Sequence, residues 1–192
     1  MSQPKKLEDY AYVLDFLPFG YPAEARKVGW RGPIAQVIGE AYLTLLEVAV
    51  YPNITLQPRE KVYIGKGERN KVDHVERRIS YDELTPVAQD ELPIVLEIII
   101  DQNPERFLEF FNTAGPITTR MHALELLPGI GKKGMWRVLE ERKKAPFKSF
   151  DDLQQRTHIP DPKKALIKRI ISEIKGEDKY YLFVKPPYKA VK

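Results

Sequence analysis

Through about residue 79 the apolar positions cluster in short runs separated by turn signals, and from Tyr81 they recur at spacings of three to five. Residues 10–17 are dense in aromatic and β-branched side chains and stop at Pro18 and Gly20. Residues 34–39 and 42–51 follow, the second closed by Pro52 and Asn53. Residues 60–65 are bounded by Pro58 and by the Gly65-Lys66-Gly67 turn, and residues 72–79 complete the set. Five short strands with turn signals between them predict an OB-like β-barrel over residues 1–81, or a one-sheet meander over the same span.

After Tyr81 the helical period takes over. Asp82 or Thr85 suits a helix start, with Pro86 in the first turn. Val87, Leu92, Val95, Leu96, Ile99 and Ile100 then mark one face through about Asp101, and Pro93 kinks that helix or splits it in two. Asn103-Pro104 opens a shorter helix that packs Phe107, Leu108, Phe110 and Phe111 and ends at Gly115-Pro116. Further helices are expected near 118–127, 132–144 and 162–175, with a cap-then-helix pattern at Ser149-Phe150. Residues 180–184 read as a returning strand or a frayed terminus. The expected class is therefore α+β, divided into a barrel domain (1–81), a helical connector (82–117) and a helical domain with a tail (118–192).

The segment Leu127-Pro128-Gly129-Ile130-Gly131-Lys132-Lys133 carries the candidate chemistry. Leu124 and Leu127 give one helix an apolar face, and Pro128 stops it. Met135, Val138 and Leu139 give the next helix its matching face, with Ile130 dropped between them. Gly129 permits a positive φ, Gly131 leaves no side chain between the backbone and whatever approaches it, and Gly134 is counted with them as a binding candidate. The second helix then starts with free N–H groups and a positive dipole end, which suits a phosphate oxygen. Lys132 and Lys133 add charge at that spot, and Arg137 lies one turn beyond. The plainer alternative is a helical hairpin with a Pro-Gly turn. No strand precedes the glycines, so the nucleotide-loop contexts fail.

Leu124 to Arg142 resembles the helix-hairpin-helix motif of DNA repair, recombination and uptake proteins, whose backbone amides hold phosphates without reading bases. Ala145 to Leu153 resembles the connector that leads such motifs into a second hairpin. That second unit would be His158-Ile159-Pro160-Asp161-Pro162 and the following Lys163-Lys164, with Asp161 and Pro162 where glycines are expected. The reading here is a packing partner, with Lys163, Lys164 and Lys168 as a fringe. Taken whole, a barrel followed by this module resembles an uncharacterised archaeal family, known as domain of unknown function 655. The resemblance implies no assigned activity. Its members tend to be encoded near translation genes, which implies structured RNA ahead of DNA and a possible protein partner in the translation machinery.

Charge sharpens this picture. Residues 118–192 carry eighteen Lys and Arg against nine Asp and Glu, a net +9. Residues 79–117 carry −7 and residues 1–78 carry +2. A basic C-terminal stretch attracts polyanions, and the acidic middle repels them. The loop from Pro18 to Pro33 adds Phe19, Tyr21 and Trp30 beside Arg26, Lys27 and Arg31. Trp30 and Arg31 are candidates for base stacking and phosphate contact, whereas Phe19 and Tyr21 read as plugs for the barrel end.

Catalysis finds no constellation. His74, His122 and His158 lack ligand spacing, and cysteine is absent. Asp82-Glu83, Asp90-Glu91 and Asp151-Asp152 sit where carboxylates cap helices, so neither a metal nor a cofactor is expected. No export signal or membrane-length apolar run is visible, and a cytoplasmic protein is expected. The sequence thus predicts a non-catalytic nucleic-acid-binding protein that grips phosphates without sequence preference. A module docking a translation or transcription partner, and a Mg²⁺-dependent nuclease, are the alternatives.

Overall fold

The computed structural model describes residues 7–22 and 32–186. Five strands form one antiparallel sheet: β1 (Tyr10–Leu17), β2 (Ile34–Gly39), β3 (Leu45–Val50), β4 (Lys61–Tyr63) and β5 (Val72–Arg78). The neighbour order is β4-β1-β2-β3-β5. The register slips between Val13 and Asp15 on β1, and twice along β3 against β5. Such bulges add twist and bend the ribbon, and the sheet curls into a half-barrel. Its concave side gathers Val13, Val37, Val48, Val50, Leu56, Val62 and Val72 into an apolar core.

Two buried polar groups shape this sheet. The Glu8 carboxylate accepts the backbone N–H groups of Ala41 (2.8 Å), Tyr42 (2.8 Å) and Thr44 (3.3 Å), fixing the β2–β3 connection. Burial pushes that carboxyl up from its ordinary range, against the downward pull of the three donors. Gly39 leaves the room it needs, because a Cβ there would meet the Glu8 side chain at 2.0 Å. Gln36, wholly buried, donates to the Tyr21 hydroxyl (2.9 Å) and to the Glu83 carbonyl (2.9 Å), and accepts from Thr85 N–H (2.9 Å). Arg77 links Glu47 (3.2 Å) and Glu83 (2.7 Å), so the turn after β5 is pinned to the sheet.

Five α-helices follow among the described residues: α1 (Pro86–Gln102), α2 (Pro104–Thr113), α3 (Gly131–Lys144), α4 (Phe150–Thr157) and α5 (Pro162–Lys175). Thr85 caps α1, accepting from Ala88 N–H (3.1 Å) while its hydroxyl donates to Asp15 (2.6 Å). Pro93 lies inside α1 without splitting it. In α2 the packed face is Phe107, Leu108 and Phe111, with Phe110 only half-buried.

The helix expected at 118–127 is not formed. A two-strand hairpin, β6 (Pro116–Thr118) and β7 (Met121–His122), is followed by a single 3₁₀ turn, Ala123–Leu126. The β-branched run Ile117-Thr118-Thr119 favours extended backbone. The cap at His122 and the pre-proline Leu127, extended at φ −77° and ψ 124°, then leave space for one turn only. Residues 180–184 also differ from expectation, forming bends with no strand. The buried Glu173 carboxylate holds them, accepting N–H groups from Leu182 (2.6 Å), Phe183 (3.0 Å) and Val184 (2.9 Å).

By internal contacts the chain divides into Met1–Val95 with Glu173–Lys192, and Leu96–Ser172. The division differs from the expected boundaries at 81 and 117: it falls within α1 and within α5. Helical periodicity runs unbroken across both points, so the local pattern carries no mark of the change. No helix among the described residues is long and apolar enough to cross a membrane.

Candidate nucleic-acid interface

The turn between the 3₁₀ segment and α3 is built on buried leucines. Leu124 and Leu127 are 0% and 1% exposed, and Ile130 is 6% exposed as the plug. Gly129 and Gly131 both take positive φ, +82° and +60°. A Cβ at either would meet nothing within 4 Å, so these glycines serve backbone conformation and leave the outer face bare. Gly134 serves packing, since a Cβ there would meet Ile130 Cγ2 at 2.9 Å. Ile130 N–H donates to the Leu127 carbonyl (3.3 Å), and Gly134 N–H donates to the Ile130 carbonyl (3.2 Å).

Helix α3 then begins with no side-chain cap, so its leading N–H groups and dipole end lack a carboxylate or hydroxyl of the chain's own. Lys132, Lys133 and Arg137 are exposed and belong to none of the ion pairs found among the described residues. The start of the segment is fixed by a reciprocal cap. His122 Nδ1 accepts from Leu124 N–H (3.1 Å), and Glu125 accepts from His122 N–H (2.8 Å). Burial first, then the nearby Arg142 charge, hold the His122 pKa below its ordinary value, which keeps the ring neutral as an acceptor.

The second turn, between α4 and α5, has the same skeleton and a different outer face. His158 takes φ +58°, and Ile159 is 5% exposed. Asp161 caps α5 itself, its carboxylate accepting from Lys164 N–H at 3.0 Å. The two turns share a cavity of about 170 Å³ lined by Pro128, Gly129, Ile159, Pro160, Lys164 and Lys168, among others. Of the expected lysine fringe, Lys164 and Lys168 therefore stand beside the first turn. Lys163 does not: it pairs with Asp101 (2.6 Å) and lies 5.5 Å from the Phe150 ring centroid.

Several cations of the basic stretch are structural. Arg142 donates to the carbonyls of Phe111 (3.2 Å) and Ala114 (2.8 Å), closing the C-terminal end of α2. Arg156 donates to the carbonyls of Glu141 and Ala145, pairs with Asp152 (3.1 Å) and lies 4.5 Å from the Phe147 ring centroid. A net charge of +9 thus overstates the cations available to a ligand. One group was missed by sequence reasoning. Trp136 on α3 is 60% exposed, four residues beyond Lys132. The available signal was its place between Met135 and Val138, off the apolar stripe of that helix.

Elsewhere the candidates separate. Trp30 and Arg31 lie outside the described residues, as do Arg26 and Lys27. Phe19 is 86% exposed and plugs nothing, contrary to expectation. Tyr21 does pack inward, donating to Glu47 (2.8 Å) and accepting from Gln36, and burial pushes its phenol up to about 12. A cavity of about 370 Å³ opens beside Leu7, Leu46, Tyr63, Ile64 and Val75. Two of its polar groups are engaged: Tyr63 accepts from Gly67 N–H (2.9 Å), and Arg69 donates to the carbonyls of Gly65 and Asp73. Glu83, Glu91 and Asp152, from the three acidic pairs, hold Arg77, Arg59 and Arg156. Among the described residues no group of three or more His, Asp or Glu could hold a metal ion.

The family described as Protein of unknown function (DUF655) matches residues 7–185. The uncharacterized protein MJ0038 of Methanocaldococcus jannaschii is 46% identical over 186 residues, spanning 96% of this chain and 83% of its own. The crystal structure of Af1531 from Archaeoglobus fulgidus, described as DUF655, superposes with a TM-score of 0.85 at 52% identity. The match covers 93% of this chain and 100% of that one.

Proposed function

The chain belongs to the DUF655 family, and we propose that it is a non-catalytic nucleic-acid-binding protein that holds phosphate backbone at the turn opening α3. One observation carries this reading: Gly129 and Gly131, both left-handed and both bare on the outside, lead into a helix whose N-terminus has no cap of its own and bears Lys132 and Lys133. A phosphate oxygen satisfies the N–H groups, the dipole and the lysines at once. The hairpin reads as a helix-hairpin-helix variant whose first arm has shrunk to a 3₁₀ turn. The half-barrel reads as OB-like, its neighbour order β4-β1-β2-β3-β5 being an opened ring.

Recognition through backbone amides and lysines is blind to base identity. RNA and DNA share the phosphate, and RNA is the first probe because of the translation context that the family resemblance implies. The test is binding of labelled RNA and DNA across a salt series. Affinity falls linearly on a logarithmic salt scale, and replacing Lys132 and Lys133 by Glu lowers it at least tenfold with a shallower slope. Unchanged affinity in that variant would sink the proposal. So would retention of a protein partner at high salt with no nucleic acid bound.

A further inference from the structure

Resting on the reading above, we infer that Trp136 is a stacking platform for an unpaired nucleobase, so the first turn takes single-stranded nucleic acid ahead of continuous duplex. Among the described residues of Leu96–Ser172, Trp136 is the large apolar side chain left exposed, at 60%. Its helix buries Gly134, Met135 and Val138, and residue 136 falls nearly opposite that face at 100° per residue. An indole has one of the largest apolar surfaces to hide, and a helix that hid only its own core would carry a polar residue here. Trp136 also takes no part in the ring and cation–π contacts found among the described residues.

Position supplies the occupant. Lys132 and Lys133 lie four and three residues before Trp136, so they are its neighbours on the helix surface. Helical side chains lean over the turn N-terminal to their own Cα, which sends the indole toward those lysines and the bare helix start. From Gly131 to Trp136 the axial rise is about 7.5 Å. A nucleotide whose phosphate sits on the helix start has its own base, or the next, within reach of the ring. Glu140, one turn further on, sets a carboxylate on the far side and confines the anionic backbone to the lysine end.

The second turn argues against a duplex grip. Two turns that each held a phosphate would suit two strands, but Asp161 already places a carboxylate on the start of α5. One open turn holds one strand. Stacking on an aromatic further requires a base free of its own partner, as in loops, bulges, ends and single strands. Every base offers a π face, so this preference for unpaired bases brings no sequence code.

The experiment uses the full chain with a labelled single strand of about twelve nucleotides, within the span of known single-strand sites, and the matched duplex. Trp136→Ala should weaken single-strand binding about tenfold and duplex binding less than about twofold, while Trp136→Phe keeps most of the affinity. The salt slope should stay as in the parent, because no phosphate contact is lost. The exposed position makes misfolding of Trp136→Ala readable as a fall in melting temperature, and Trp136→Phe gives a second reading in a ring that packs alike. Equal loss on both ligands, or no loss on either while the Lys132→Glu/Lys133→Glu variant still fails, overturns the stacking role alone. No binding by the parent chain to any strand overturns the backbone grip as well.

Discussion

Two turns of almost equal framework face opposite fates within Leu96–Ser172. Each starts with a left-handed residue, Gly129 or His158, each buries one isoleucine, Ile130 or Ile159, and each leads into a helix of 14 residues. The first leaves its helix start uncapped beside two lysines, and the second fills that position with Asp161. The difference separates two requirements that a motif search fuses. A left-handed residue and a plug suffice to fold the turn, whereas a bare outer face and an open helix start are needed only by a ligand. His158 shows that the left-handed step itself tolerates a side chain. At Gly129 glycine therefore exceeds what the left-handed step alone demands, while Gly131 adds a second left-handed step that the other turn lacks.

The comparison breaks first if the plugs are not equivalent. Ile130→Ala and Ile159→Ala should each cost about 2–4 kcal/mol of stability in chemical denaturation, because each empties a nearly buried site. Costs that differ by more than about twofold would mean the turns share a shape without sharing a role. A smaller effect tests the outer face. Gly131→Asp sets a carboxylate on the first residue of α3, at a left-handed φ that Asp tolerates, and should lower nucleic-acid affinity about tenfold, roughly 1.4 kcal/mol. Full affinity in that variant would show that the open helix start is irrelevant.

The smallest effect is a pH response confined to the first turn. The folded His122 pKa lies below its ordinary value of 6.5, so its contribution is present above that value and is lost as pH falls through the folded pKa. Protonation turns Nδ1 from an acceptor into a donor and abolishes the bond from Leu124 N–H. Protection of the Leu124 amide, taken relative to intrinsic exchange at each pH, should therefore fall as pH drops below the ordinary histidine range, while protection of the Lys164 amide, which the Asp161 side chain caps, falls less. Parallel changes at both turns would refute the distinction, and His122→Asn should remove the response while keeping a cap.

Much of this organisation was legible because it is local. Runs of aromatic and β-branched residues between turn signals placed all five strands to within a few residues, since such side chains suit extended backbone and proline and glycine end it. The turn at Gly129–Gly131 was legible because proline, two glycines and the plug lie within four positions. Most of what escaped depends on distant groups. One miss is local: the expected helix at 118–127 gave way to a hairpin and one 3₁₀ turn, because the His122 cap and the pre-proline Leu127 leave room for a single turn that apolar spacing does not record. Gln36 and Glu8 look like surface residues in sequence, yet they hold the sheet together because their partners sit 15 to 49 positions away. Trp136 was passed over because an aromatic in a helix ordinarily counts toward the core. Lysines 163 and 164 are adjacent, but Asp101 engages one and leaves the other beside Gly129.

The division of the chain also bears on its synthesis. Residues 96–172 form one unit from an unbroken stretch, whereas the unit containing the sheet needs a second contribution that starts at Glu173. Glu173 grips the backbone of Leu182 to Val184, and the Lys185 carbonyl accepts from Arg78 on β5 at 3.0 Å. A ribosome delivers the strands first, at about 5–20 residues per second, and these last partners some seconds later. The sheet is therefore made before the helical unit and completed after it. In the interval Leu43 and Leu45, which line one cavity with Ile174 and Val184, lack those two partners.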